Sequence, residues 1–169
     1  MPDRLFELID AGFAQLHGDM VRYVRAVAGA DVAEDVASQV WVEVLDRASE
    51  FRGDEMALRR LVFATARRRA LDQHRRWWRR KVSLLPPGDR VLERAIFEDR
   101  EVVERDRALT WIARLPRAQA EVVLLRVVGD FSAEEVGEMT GRSPGAVRVL
   151  QHRALRRLAA DMRRERGEV

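Results

Sequence analysis

Toward its end the chain reads Ser143-Pro144-Gly145-Ala146-Val147-Arg148, followed by His152, Arg153 and Arg156. A guanidinium carries its donors in a planar fork. One at Arg148 can bond both acceptors on a guanine edge, while Arg153 and Arg156 are placed for phosphates. Gly145 is small enough to let the backbone approach a duplex closely. The chemistry on offer is recognition rather than bond-making. Further cations lie in mid-chain, where Arg59 to Lys81 holds ten basic residues against Asp72 alone. Arg142 to Arg166 holds eight Arg against Asp161 and Glu165, whereas Met1 to Leu58 holds 12 acids and 5 Arg. The net charge of +3 therefore hides two cationic blocks. Such blocks release counterions when they meet phosphates, which makes nucleic acid the leading partner; the plainer alternative is a solvated face. Lys81 is the sole lysine, a bias that a GC-rich genome also produces.

Other chemistries find little support. Cysteine is absent, which removes disulfides, thiolate nucleophiles and Cys-ligated metals. His17, His74 and His152 are widely separated and none belongs to an HExxH pair, so neither a zinc site nor any cofactor is expected. Glu34, Asp35 and Glu43 have no partner base, metal cluster or glycine-rich phosphate loop, so no catalytic site and no small-molecule substrate are expected. The chain has no run of about eighteen apolar residues, and MPDRLFELID carries acids where a signal peptide carries bases. No membrane insertion and a cytoplasmic location are the expectation.

The elements that must hold these residues are all helical by their spacing. Leu5, Ile9, Phe13, Leu16, Met20, Tyr23 and Val27 recur at three- and four-residue steps, predicting a long first helix that Gly29 can end. Asp31 and Glu34 form a D-x-x-E capping pattern for a second helix with Ala33, Val36, Ala37, Val40, Trp41, Val44 and Leu45 as its stripe. A third runs from Glu55 to about Trp78, with Leu58, Leu61, Val62, Thr65 and Ala66 inward and the arginines elsewhere. Pro86-Pro87-Gly88 breaks any helix and marks a linker. Val91 to Asp106 reads as mixed-charge and partly helical. Four more helices follow, at Leu109 to Leu115, Ala118 to Val128, Ser132 to Thr140 and Ser143 to about Arg164. Ser132 and Glu135 make an S-x-x-E capping box, Gly141 supplies a left-handed stop, and Ser143-Pro144 supplies an N-cap with proline in the first turn. Two helices across so short a glycine turn make a helix-turn-helix. Its second helix places Val147, Leu150, Ala154 and Leu158 on one face and Gly145, Arg148, His152 and Arg156 on the other.

The order of these motifs resembles a known family. Asp31-Val-Ala-Glu-Asp-Val-Ala-Ser-Gln-Val-Trp41 is similar to the D-A-E-D-L-x-Q-E-V-F helix of region 2 in bacterial RNA polymerase sigma factors. Thr65-Ala-Arg-Arg-Arg-Ala-Leu-Asp-Gln-His-Arg-Arg76 is similar to that family's I-A-R-N-x-A-x-D-x-x-R-R helix. Leu109 to Pro116, Gly129-Asp-Phe-Ser132 and Ser143-Pro-Gly-Ala-Val-Arg148 with His152-Arg-Ala154 resemble region 4. The resemblance is to the extracytoplasmic-function (ECF) group of the sigma-70 family, which keeps only regions 2 and 4.

It implies an all-α protein with region 2 at residues 1–81, a linker at 82–103 and region 4 at 104–169. By the same resemblance, Asp35, Gln39 and Glu43 face the polymerase core. Arg67, Arg68, Asp72, Arg75 and Arg76 meet the −10 promoter element, and Pro144, Gly145, Arg148, Gln151, His152 and Arg153 the −35 element. A basic surface for single-stranded phosphate and a pocket for an extruded base suit DNA opening. An anti-sigma factor is an implied further partner. Leu61 stands where the family usually has Trp, Arg68 where it often has Asn, and Gln39 where an acid is frequent. Trp77 and Trp78 could stack on melted DNA or anchor a core, and Trp41 fits a core or polymerase contact better than DNA. Competing readings are a helix-turn-helix regulator that needs no polymerase, and a helical protein that occupies polymerase without initiating.

Overall fold

A computed structural model describes residues 3–82 and 107–167. Among them are seven helices and no strand. We number them α1 (Asp3–Ala28), α2 (Ala30–Asp46), α3 (Glu55–Val82), α4 (Arg107–Ala113), α5 (Arg117–Val127), α6 (Ala133–Thr140) and α7 (Pro144–Glu165). The chain divides into two compact units, Met1–Pro87 and Gly88–Val169. Apart from Val82, the last residue of α3, the expected linker lies outside the described residues, as does the mixed-charge stretch from Val91 to Asp106.

In the first unit α1, α2 and α3 each pack on the other two. Burial follows the apolar spacing: Leu5, Leu16, Met20, Tyr23 and Val24 from α1, Val36, Val40, Trp41 and Val44 from α2, and Leu58, Val62, Phe63, Ala66 and Ala70 from α3. Tyr23 meets Phe63 edge-on, with ring centroids 5.7 Å apart, an arrangement favoured by the aromatic quadrupole. Four expectations shift. Leu45, placed in the inward stripe of α2, is exposed, because it lies in the last turn of that helix, beyond the buried Val44. Phe13 is exposed rather than buried, because it lies over the rings of His17 and Trp41 at the rim of the bundle. Leu61 is only half-buried. The D-x-x-E pattern does not cap α2: Gly29 is the N-cap, with φ 107, and Asp31 already lies within the first turn. With α1 ending at Ala28, the single residue Gly29 must turn the chain, and only glycine takes that φ without strain. Asp31 still sits favourably beside the positive end of the helix dipole.

The second unit is built around α5, in which Ala120 to Leu125 are all buried. A helix covered on every side needs neighbours all round it, and α4, α6 and α7 supply them. Glu121 is the one acid among these covered residues, and Arg142 pairs with it at 3.4 Å. Arg126 reaches across the turn to donate to the carbonyl of Phe131. The side chain of Phe131 is itself buried.

Candidate nucleic-acid interface

The geometry between α6 and α7 comes from short-range signals. Ser132 Oγ accepts from the Glu135 backbone N–H at 3.1 Å, and the Glu135 carboxylate accepts from the Ser132 N–H at 2.8 Å. That reciprocal pair satisfies two donors that the helix start leaves over. Gly141 closes α6 in the left-handed conformation (φ 70, ψ 28). Ser143 Oγ then accepts from the Ala146 N–H at 3.2 Å and starts α7, with Pro144 in its first turn.

The expected two-faced character of α7 is present. Val147 and Ala154 are buried and Leu150 and Leu158 half-buried, while Gly145, Arg148, His152, Arg153 and Arg156 are exposed. Pro144 and Gln151 are half-buried. A Cβ at Gly145 would meet nothing within 4 Å, so the surface there is open.

Two of these side chains have partners that sequence spacing does not announce. Arg148 donates to the carboxylate of Glu134 in α6. That carboxyl is held below its ordinary range, first by its own backbone N–H and then by the Arg148 guanidinium. Gln151 Oε1 accepts from Arg126 Nε at 3.0 Å, which leaves its amino group to point elsewhere. Arg126 and Glu134 therefore support the exposed side of α7 although sequence spacing points to neither. The links span 14 and 25 residues.

In the first unit the arginines line α3. Arg68, Arg75 and Arg76 are exposed and Arg67 is half-buried; Asp72 pairs with Arg75 at 3.8 Å. Arg59, nearer the start of α3, is instead drawn into the bundle, where it bonds Asp19 at 2.7 Å and lies over the Phe63 ring. Trp77 is half-buried; the side chain of Trp78 lies outside the described residues.

On α2, Asp35 and Gln39 are exposed. Glu43, grouped with them by the resemblance, is not equally available: its side chain is 18% exposed and bonds Arg47, just past the end of α2, and both Arg68 and Arg69 of α3. Arg68 foremost, then Arg69, holds the Glu43 carboxyl below the usual carboxylate range, against the opposing effect of burial. A depressed carboxylate contributes stability above its unfolded pKa and loses it as pH falls through the folded one. This link between α2 and α3 should therefore persist at neutral pH and loosen in acid. Trp41 is buried, and its indole N–H donates to His17 Nδ1 at 3.0 Å.

Residues 105–158 match the family described as Sigma-70, region 4. The ECF RNA polymerase sigma factor ShbA of Streptomyces griseus is 39% identical over 135 residues, 75% of this chain and 70% of that protein. The ECF RNA polymerase sigma factor SigD of Mycobacterium tuberculosis is 32% identical over 150 residues, 82% of this chain and 69% of that one. Among solved structures, the sigma factor RpoE of Bartonella quintana, in complex with the anti-sigma factor NepR, shares the fold. Its TM-score is 0.64 at 16% identity, covering 89% of this chain and 93% of that one.

Proposed function

Since the chain belongs to the ECF RNA polymerase sigma factors, which direct RNA polymerase to promoters, we propose that it selects a promoter through two arginine-bearing helices while α2 holds the polymerase. The observation that carries this is the division of α7, which buries Val147 and Ala154 and presents Gly145, Arg148, His152 and Arg153 on the open side. That side suits a major groove, with no bulk at the helix start and donors one turn on. Residues 104–169 act as region 4 on the −35 element, through Pro144, Gly145, Arg148, Gln151, His152 and Arg153. Residues 1–81 act as region 2. There Arg67, Arg68, Asp72, Arg75 and Arg76 hold the −10 element, and the exposed Asp35 and Gln39 meet the core enzyme. Residues 82–103 join the two.

Unstacking a base costs about a few kcal/mol, so a surface that captures one can nucleate melting. The factor supplies binding energy and the polymerase supplies the chemistry; no reaction is assigned to this chain itself. It works in the cytoplasm beside its polymerase. No helix among the described residues is long and apolar enough to cross a membrane. An anti-sigma partner, such as RpoE has in NepR, belongs to the same reading.

Run-off transcription tests it. Purified chain added to core polymerase on upstream fragments from the native host should give transcripts from a defined subset and none without it. Core binding with no transcript from any fragment would leave a protein that only occupies the polymerase. Tight, specific duplex binding in the absence of core would instead favour an ordinary helix-turn-helix regulator.

Arg148→Ala refines the −35 assignment. It should relax recognition at one upstream base pair by about 1 to 3 kcal/mol, as loss of a bidentate guanine contact does. Equal loss on every upstream sequence, measured by competition binding of the holoenzyme, would reduce Arg148 to a phosphate contact.

A further inference from the structure

Glu43 ties the helix given to the polymerase to the helix given to DNA through charged groups. Its Oε1 accepts from Arg47 Nη2 at 3.2 Å and from Arg68 Nη2. Its Oε2 accepts from Arg69 through Nε at 3.3 Å and Nη2 at 3.1 Å. An ionised carboxylate has about four lone-pair sites, and these four bonds fill them. Nothing is left over for a polymerase donor. Each guanidinium, by contrast, has five N–H donors and spends only one or two here. One anion thus faces three cations, and Arg68 keeps most of its donors while half its side chain stays exposed.

We propose that Glu43 is a positioning residue for −10 recognition rather than a polymerase contact. Its carboxylate fixes the guanidinium groups of Arg68 and Arg69 as a preset array for the phosphates and bases of the opened strand. Binding by long side chains loses affinity to the ordering of their rotamers, and an array already ordered avoids that loss. The carboxylate also lowers the local positive charge, which restrains attraction to any DNA regardless of sequence. The inference rests on the assignment of Arg68 to the −10 element, and the experiment separates the two.

Holoenzyme made with wild-type or variant chain is assayed on fork DNA from a promoter found by run-off transcription, carrying either the native or a scrambled −10 element. Glu43→Gln should cut the native-over-scrambled affinity ratio about fivefold or more, the low end of losing one specific contact. Binding to scrambled DNA should tighten, and the slope of log affinity against log salt should steepen by about 0.7 to 0.9, the value of one extra phosphate contact. Glu43→Asp keeps the charge but is one methylene short, so it should lose discrimination with the wild-type salt slope. In an Arg68→Ala/Arg69→Ala background, Glu43→Gln should change the ratio no further.

A weaker grip on core polymerase with an unchanged ratio would make Glu43 a polymerase contact and overturn the inference. A lower melting temperature with unchanged ratio and slope would overturn it in favour of a merely structural ion pair. An additive effect in the double-alanine background would also overturn it, because Glu43 would then not act through these arginines. If the double-alanine chain kept full discrimination while still supporting transcription, the −10 assignment of Arg68 would itself be wrong, and the inference would fall with it.

Discussion

Replacing Gly137 with valine should abolish use of the −35 element although Gly137 is buried in α6 and assigned no contact with DNA. A Cβ built there would lie 2.6 Å from the backbone carbonyl oxygen of Arg142. The obstacle is peptide, not the movable end of a side chain. The Arg142 N–H donates to the Gly137 carbonyl at 3.0 Å, so the turn is folded directly onto this residue. A branched side chain must push the turn away, and the turn sets where α7 begins. Overpacking of this kind costs about 1 to 3 kcal/mol or more, a large share of the stability of so small a unit. Transcription from a promoter that depends on its upstream element should fall about 5- to 100-fold, since each 1.4 kcal/mol corresponds to a factor of ten. The thermal transition of the second unit should move down. Gly137→Ala should show a weaker form of the same effect, because alanine regains roughly 0.5 to 1 kcal/mol of helix stability over glycine. Gly145→Ala is the folding control, with open space around its Cβ, and should melt no lower than wild type. Unaltered melting and transcription in Gly137→Val would mean that the turn gives way freely and does not set the position of α7.

Reversing the charge of Arg75 and Arg76 together to Glu should impair promoter opening far more than polymerase binding. Both side chains are exposed on α3, and among the described residues Arg75 has only the distant pairing with Asp72 at 3.8 Å, so little packing is lost. Exposed pairs of that kind contribute roughly 0 to 1 kcal/mol, which leaves the fold nearly untouched. Two single-strand phosphate contacts removed should flatten the salt dependence by about 1.4. With two like charges put in their place, open-complex formation should fall on the order of 10- to 100-fold, the effect of losing and then opposing two phosphate contacts. Permanganate reactivity of the melted strand reads the opening, and fluorescence anisotropy with labelled core reads the binding. Reactivity equal to wild type would remove Arg75 and Arg76 from the melting surface. A matched loss of core affinity would move them to the polymerase side.

Much of this organisation could be read from local pattern. The apolar steps through Leu16, Met20 and Tyr23 identified the buried side of α1. Ser132 with Glu135, Gly141 and Ser143-Pro144 placed the ends of α6 and the start of α7. Caps and turns are legible because each is completed within about four residues, so the chemistry that makes them sits in one short stretch. The same local rule misled at Asp31. A D-x-x-E pattern and a glycine competed for the start of α2, and Gly29 prevailed because α1 runs to Ala28 and leaves one residue to make the turn. Phe13 kept the helical spacing but lay at the rim, where a ring partner rather than a core received it.

The amino-acid order alone was sufficient for two things: an all-helical chain with a helix-turn-helix near its end, and cations gathered into two blocks. Both follow from short-range spacing and from charge, which no fold can alter. Packing alone decided which of those cations are exposed. Arg59 and Arg68 sit in one helix, yet the first is tucked against Asp19 and Phe63 while the second stands exposed with Glu43 beneath it. Arg148 meets Glu134 only because the turn folds α6 against α7. A contact between residues 14 to 40 apart depends on how whole helices settle against each other, so it is set by the sum of the core and not by any stretch of sequence near the residue.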